Sequence, residues 1–152
     1  MTSLEERLDL AERLIKRESF RQNKGLGNEI GYYVFDYPAE NELTVRERIH
    51  YMKGKNSKGT DGFELVVFDL YDIMIDILES EGFINQCFTF EKKKGLEQII
   101  KSVSNLLMIN DEESLIVKYI QENTPKDAVV FLIGVGKCYP ILRSHKILNN
   151  LH

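Results

Sequence analysis

Apolar positions along this chain recur with two spacings, and they divide it into helices and strands. Leu4, Leu8, Ala11, Leu14 and Ile15 stand three or four residues apart for the most part and predict an amphipathic helix to about Arg17. Ser3 before it and Glu6 within it have the spacing of a capping box, in which each side chain serves the other residue's backbone N–H. Tyr32 to Phe35 is aromatic and β-branched and predicts a first strand, stopped by Pro38. Leu43, Val45, Ile49 and Met52 predict a helix over Glu42 to Lys53, with Thr44 as an alternative cap. Gly54 to Gly62, GKNSKGTDG, is a polar loop. Phe63 to Leu70 predicts the second strand. Ile73, Ile77 and Leu78, with Met74 beside them, predict a helix over Tyr71 to Glu81 that Gly82 ends. Phe83 to Glu91 fits either helix or irregular structure. Leu96, Ile99, Ile100, Val103, Leu106 and Leu107 set a helix over Gly95 to Asn110, and another starts at Asp111 or Ser114 and runs through Ile120.

The stretch Val129 to Leu151 concentrates the information. Ala128 to Ile133 is apolar without polar alternation, which suits a parallel strand covered on both faces. Gly134 and Gly136 flank Val135 and allow a tight turn. Pro140 fits the first turn of a helix over Tyr139 to Leu151, where its missing N–H costs nothing. Strands separated by helices imply parallel pairing with right-handed crossovers. The expectation is a single α/β domain over residues 1–152, with a mostly parallel, three-stranded, Rossmann-like sheet flanked by helices.

If the strands are parallel, their carboxyl ends share one edge, where open α/β sheets bind ligands. That edge would carry Asp36 and Tyr37, Asp69 and Tyr71, and Gly134, Gly136 and Lys137, with Tyr139, Arg143, His145 and Asn149 along the last helix. Carboxylates, an arginine and a histidine in one place suit an active site. The structural reading carries more weight. An Asp after a strand commonly caps a helix or makes an Asx turn, and Tyr rings pack against sheets with their hydroxyls outward. His145 shares a stripe with Leu142 and Leu148, which predicts a half-buried, hydrogen-bonded ring. The edge is therefore read as an interaction or ligand surface, with no catalytic, cofactor-binding or metal-ligating residue assigned.

Composition narrows the chemistry further. Acidic residues number 24 and basic residues 20, a net charge of −4. That balance argues against a broad nucleic-acid-binding face. The lysine clusters at Lys53, Lys55 and Lys58 and at Lys92, Lys93 and Lys94 read as solvated segments. Two cysteines, Cys87 and Cys138, form no CxxC pattern, so free thiols in a reducing cytoplasm are expected. Cys138 is read as a packing residue, since no base is supplied for a nucleophile. The N-terminus has no apolar signal core, and no apolar run reaches bilayer length. Gly134-Val-Gly-Lys lacks the spacing of a phosphate loop, and GLGNE at Gly25 to Glu29 lacks the full dinucleotide fingerprint. The histidines His50, His145 and His152 are dispersed, with no metal-ligand spacing.

Four strings in order carry a family likeness: GLGNE, YYVFDY at Tyr32 to Tyr37, FDLYDI at Phe68 to Ile73, and GVGKCYPILRSH followed by ILNNL from Gly134 to Leu151. Together they span nearly the whole sequence, which resembles the BrxB-type small proteins of bacterial BREX phage-defence systems. The resemblance implies a further strand and a Gly-containing loop beyond His152. That strand would make the sheet four-stranded, and its absence here implies either a C-terminally truncated chain or a shortened member of the family. The resemblance also implies a non-enzymatic structural or adaptor role through protein–protein contacts. The partners implied are other BREX proteins, namely a PglZ-type phosphatase-like protein, a methyltransferase or a large ATPase component, with a homo-oligomer as a further arrangement. Arg143 is the residue best suited to a partner's carboxylate, because its planar fork pairs bidentately. The alternative, from a different class, is a nucleotide-binding or hydrolytic enzyme using the strand-end cluster.

Overall fold

In the computed structural model, residues 1–22, 31–56, 61–107 and 114–151 are described. The protein divides into two compact units, Met1–Val66 with Pro125–Val130, and Val67–Thr124 with Phe131–His152. In the first unit, helix α1 (Leu4–Ile15) begins as its sequence dictates. The Ser3 hydroxyl accepts from the Glu6 N–H, and the Glu6 carboxylate accepts from the Ser3 N–H at 2.8 Å. Its inward stripe is Leu8, Glu12 and Ile15, so a carboxylate sits on the apolar face. A short helix α2 (Glu18–Arg21) follows, and α3 (Glu42–Lys55) buries Val45 and Met52. The Arg21 guanidinium lies 4.4 Å over the buried Phe63 ring and its Nη1 donates to the Ile15 and Lys16 carbonyls at 3.2 and 2.8 Å.

Buried Glu12 is the most heavily engaged side chain of this unit. It accepts from Arg48 at 2.7 Å and from Lys55 at 3.2 Å, and Lys16 stands 3.6 Å away. Arg48 also reaches Asp9 at 2.5 Å. Burial alone would push the Glu12 carboxyl up; the hydrogen bonds from Arg48 and Lys55 outweigh it and hold the group below its usual range.

The second unit has its core where the strongest apolar stripes converge. Helix α4 (Leu70–Ser80) buries Leu70, Ile73, Met74, Ile77 and Leu78. Helices α5 (Ile84–Lys94) and α6 (Leu96–Leu107) form a hairpin about Gly95, and α7 (Leu115–Glu122) buries Ile116, Val117 and Ile120. Phe68 meets Tyr119 edge-on, with ring centroids 6.3 Å apart, an arrangement the ring quadrupoles favour. Helices α8 (Val135–Cys138) and α9 (Ser144–Leu148) follow β2, with Cys138, Leu142 and Ile147 buried.

That strand, β2 (Val129–Ile133), and β1 (Leu65–Asp69) form a small parallel sheet flanked by helices in a helix-dominant fold. The Val129 N–H donates to the Glu64 carbonyl at 2.9 Å. In that register the two strands start together and end together, at Asp69 and Ile133.

Several expectations need correction. Among the described residues the sheet has two strands, so the three-stranded, Rossmann-like form is not reached. Tyr32 to Phe35 has strand composition but forms no strand, since β propensity expresses fit to a pleated neighbour rather than an intrinsic backbone state. Every residue of β2 is half-buried, because a two-stranded sheet does not cover it on both faces. Of the helix expected over Tyr139 to Leu151 only α9, Ser144–Leu148, forms, while α8 lies before it, in the stretch expected as a tight turn. A residue before proline is pushed out of the helical region, and Tyr139 adopts φ −66° and ψ 135°, so Pro140 follows a helix end rather than starting a helix. His145 is exposed rather than half-buried. Phe83 to Glu91 is mostly helical. GLGNE, most of the loop before Asp61 and the alternative start at Asp111 lie outside the described residues. Among those residues, no helix is long and apolar enough to cross a membrane.

Candidate functional site

The site forms where the two strands end. Asp69 closes β1 and caps α4, its Oδ1 accepting from the Tyr71 N–H at 3.0 Å and the Asp72 N–H at 3.4 Å. Both donors belong to the first turn of α4, where helical N–H groups have no intrahelical partner. Beyond β2, Gly134 turns the backbone with φ +75°, in the left-handed region that side chains resist. The turn starts α8 and delivers Lys137, whose Nζ bonds Asp69 Oδ2 at 2.5 Å and lies 5.4 Å from the centre of the Tyr71 ring.

Gly134 is needed here for a second reason. A Cβ at this position would overlap the Asp69 carboxylate and crowd the Lys137 stem. The backbone of one strand end thus passes against the carboxylate of the other. Both oxygens of Asp69 are engaged, one by backbone N–H groups and one by an ammonium. As chemistry, this is a neutralised and capped ion pair.

Cys138 follows directly and is 1% exposed. Burial, and then the Asp69 charge, push its thiol up to about 11. We expect Cys138 in the folded protein to react with a disulfide reagent at pH 8 at least about 100-fold more slowly than in the unfolded protein, given a free thiol near 8.5. Comparable rates would show that the thiol is exposed or activated. No group of three or more His, Cys, Asp or Glu side chains among the described residues has a metal-holding arrangement.

The structure brings together Asp69, Tyr71, Gly134 and Lys137 out of the expected set. Gly136 is exposed in α8, with open space where a side chain would go. Tyr139 is exposed between α8 and α9. Arg143 stands at the N-terminus of α9, where its carbonyl accepts from the Lys146 N–H at 3.1 Å; its side chain is exposed, caps nothing and has no hydrogen bond or ion pair among the described residues. His145 and Asn149 lie on this helix and at its end, His145 exposed.

Asp36 and Tyr37 belong to the first unit and are committed within it. Asp36 is paired with Arg7, whose Nη2 donates to its carbonyl and to its carboxylate, each at 2.8 Å. The Tyr37 hydroxyl donates to Glu42 at 2.6 Å, and burial together with this bond pushes it up to about 12. Asp36 ends no strand among the described residues, so the shared strand-end argument does not extend to it.

Two features lie outside the sequence reading. Glu12 had a visible signal, since it falls within the stripe Leu8, Glu12, Ile15. The Asp69–Lys137 contact had none, as the partners are 68 residues apart.

Residues 66–152 match a family model described as BREX protein BrxB. A protein of that name from Bacillus cereus (strain H3081.97) is 44% identical over 152 residues, covering 100% of this sequence and 79% of the relative. A second, from Escherichia coli O9:H4 (strain HS), is 32% identical over 148 residues, covering 97% of this sequence and 72% of the relative. No solved structure matches.

Proposed function

The chain belongs to the BrxB family of BREX proteins, and from that premise we propose that it is a non-enzymatic structural or adaptor component of a cytoplasmic phage-defence assembly. It would act through protein–protein contacts with other BREX proteins, among which the PglZ-type protein, the methyltransferase and the ATPase components are the partners the family resemblance implies.

One observation carries the preference for this reading over nucleotide chemistry. The turn that looks most like a phosphate cradle, Gly134 to Lys137, already holds the Asp69 carboxylate. A phosphoryl group entering there would meet a negative charge and a lysine already paired. An adaptor instead needs exposed side chains with no internal commitment, and Arg143 is such a group near the exposed Tyr139 and His145.

The test is capture of BREX partners by the tagged protein from cells expressing the complete system. Arg143→Ala is expected to weaken capture by about 1–2 kcal/mol, roughly tenfold, with an unchanged melting temperature. Normal capture together with a lowered melting temperature would leave Arg143 a purely structural role. Steady ATP or GTP turnover by the purified protein, abolished in Lys137→Ala, would replace the adaptor reading with the enzymatic one.

A further inference from the structure

The segment 31–38 has a feature that neither the family likeness nor the strand-end site uses. It contains no helix, turn or bend, so its backbone runs straight, and a straight non-helical backbone is an extended one. Tyr33, Val34 and Phe35 make no backbone hydrogen bond among the described residues. Val34 is 86% exposed and Tyr33 59%. Unpaired N–H and C=O groups on an extended apolar segment are a template for another strand.

The segment is also held in place. Phe20 stacks on Tyr33, with ring centroids 4.4 Å apart. The Arg7 guanidinium lies 4.7 Å from the centre of the Phe35 ring and binds Asp36, and Tyr37 is tied to Glu42. Contacts on Tyr33 and Phe35 anchor alternate positions, and Val34 between them stands out into solvent. Ordering this strand on pairing would therefore cost little conformational entropy.

We propose that two copies of this protein pair through this segment, antiparallel and related by a two-fold axis at Val34. The sequence YYVFD is self-complementary about that residue. Tyr33 falls opposite the second copy's Phe35, an aromatic cross-strand pair of the favoured kind. Tyr32 falls opposite Asp36, whose charge Arg7 already balances, so no like charges meet. The Asp36 carbonyl is occupied by Arg7, which makes Tyr33 and Phe35 the residues that exchange hydrogen bonds, on the order of four in all. The two Val34 side chains then form the closely spaced, non-hydrogen-bonded pair at the axis, and each covers the other. A helix, a lipid surface or a nucleic acid would leave these backbone groups open; a strand satisfies those of Tyr33 and Phe35. Strands this short bury far less than the roughly 1,200 Å² of a stable interface, so the dimer is weak and concentration-dependent.

Sedimentation of the full-length protein over a wide concentration range tests this without any other component. The wild type is expected to dimerise reversibly. Val34→Lys places two like charges at the axis and is expected to weaken the dimer at least tenfold, with the melting temperature unchanged because the side chain is exposed. Val34→Glu should do the same. Mixing the two variants should restore the wild-type dimer, since only a register that puts residue 34 opposite itself brings the lysine onto the glutamate. A protein that stays monomeric at every concentration, a dimer indifferent to Val34→Lys, or a mixture that fails to reassociate would each overturn the proposal. These outcomes are independent of the adaptor reading, which is judged on capture of other BREX proteins.

Discussion

Replacing Gly134 by alanine is expected to destabilise the protein by about 3 kcal/mol. The left-handed conformation at φ +75° costs a side chain roughly 1–2 kcal/mol by itself. The added Cβ would also overlap the Asp69 carboxylate, so the carboxylate must move. Moving it weakens the cap on α4, a loss of about 1 kcal/mol, and breaks the half-exposed pair with Lys137, which solvent limits to under about 1 kcal/mol. Thermal unfolding should show a melting temperature lowered by roughly 6–12 °C for a protein of this size. The control is Gly136→Ala, two residues on, where nothing lies within 4 Å and the backbone is helical. It should be neutral or slightly stabilising. Equal losses for the two substitutions would mean that the close approach to Asp69 has no energetic weight. In an Asp69→Ala background, Gly134→Ala should cost only its backbone share, because the residues are coupled through one contact.

Glu12→Ala is expected to cost about 2 kcal/mol at neutral pH. Removing one partner of a fully buried pair costs more, about 3–5 kcal/mol, but here the cations keep contact with solvent, Arg48 at 26% and Lys16 at 37% exposure of the side chain, and can rehydrate. The same carboxylate gives the stability a pH dependence of definite sign. Its folded value lies below the unfolded one despite the opposing effect of burial, because Arg48 and Lys55 donate to it. Its contribution is therefore fully present above the unfolded value, roughly pH 4.3, and is lost as pH falls through the folded value. Urea unfolding of wild type and Glu12→Gln should differ clearly at pH 7 and converge in strong acid. A difference that persists unchanged at pH 3 would show that the side chain acts through packing and not through its charge.

Strong periodic signals were legible in the amino-acid order itself. The stripe of α1 and its capping box, the stripe of α6, and the apolar runs of β1 and β2 each depend on neighbours three or four residues away or on a continuous local run. Local interactions of that kind are encoded wherever the sequence is read. The family was also legible, because its strings are local and occur in order. Tyr32 to Phe35 shows where this stops. Its composition favours a strand, but a strand exists only when another backbone lies beside it, and no local feature says whether one does. Pro140 is similar: the residue suits both a first helical turn and the end of the preceding helix, and the turn at Gly134 settled the matter by starting α8 early enough for Tyr139 to leave it.

The sequence by itself determined most of the helices, the two strands and the family. Tertiary structure alone decided that Asp69 would be spent on Lys137 and a helix cap rather than left open for chemistry, and that Gly134 would have no room for a side chain. It likewise decided that Glu12, an ordinary acidic residue within its helix, would be buried among cations of α3. The physical reason is the same in each case. Helical period and strand composition are short-range, whereas a charge pair or a close backbone approach joins positions 36 to 68 residues apart, and only the packed protein brings them within reach.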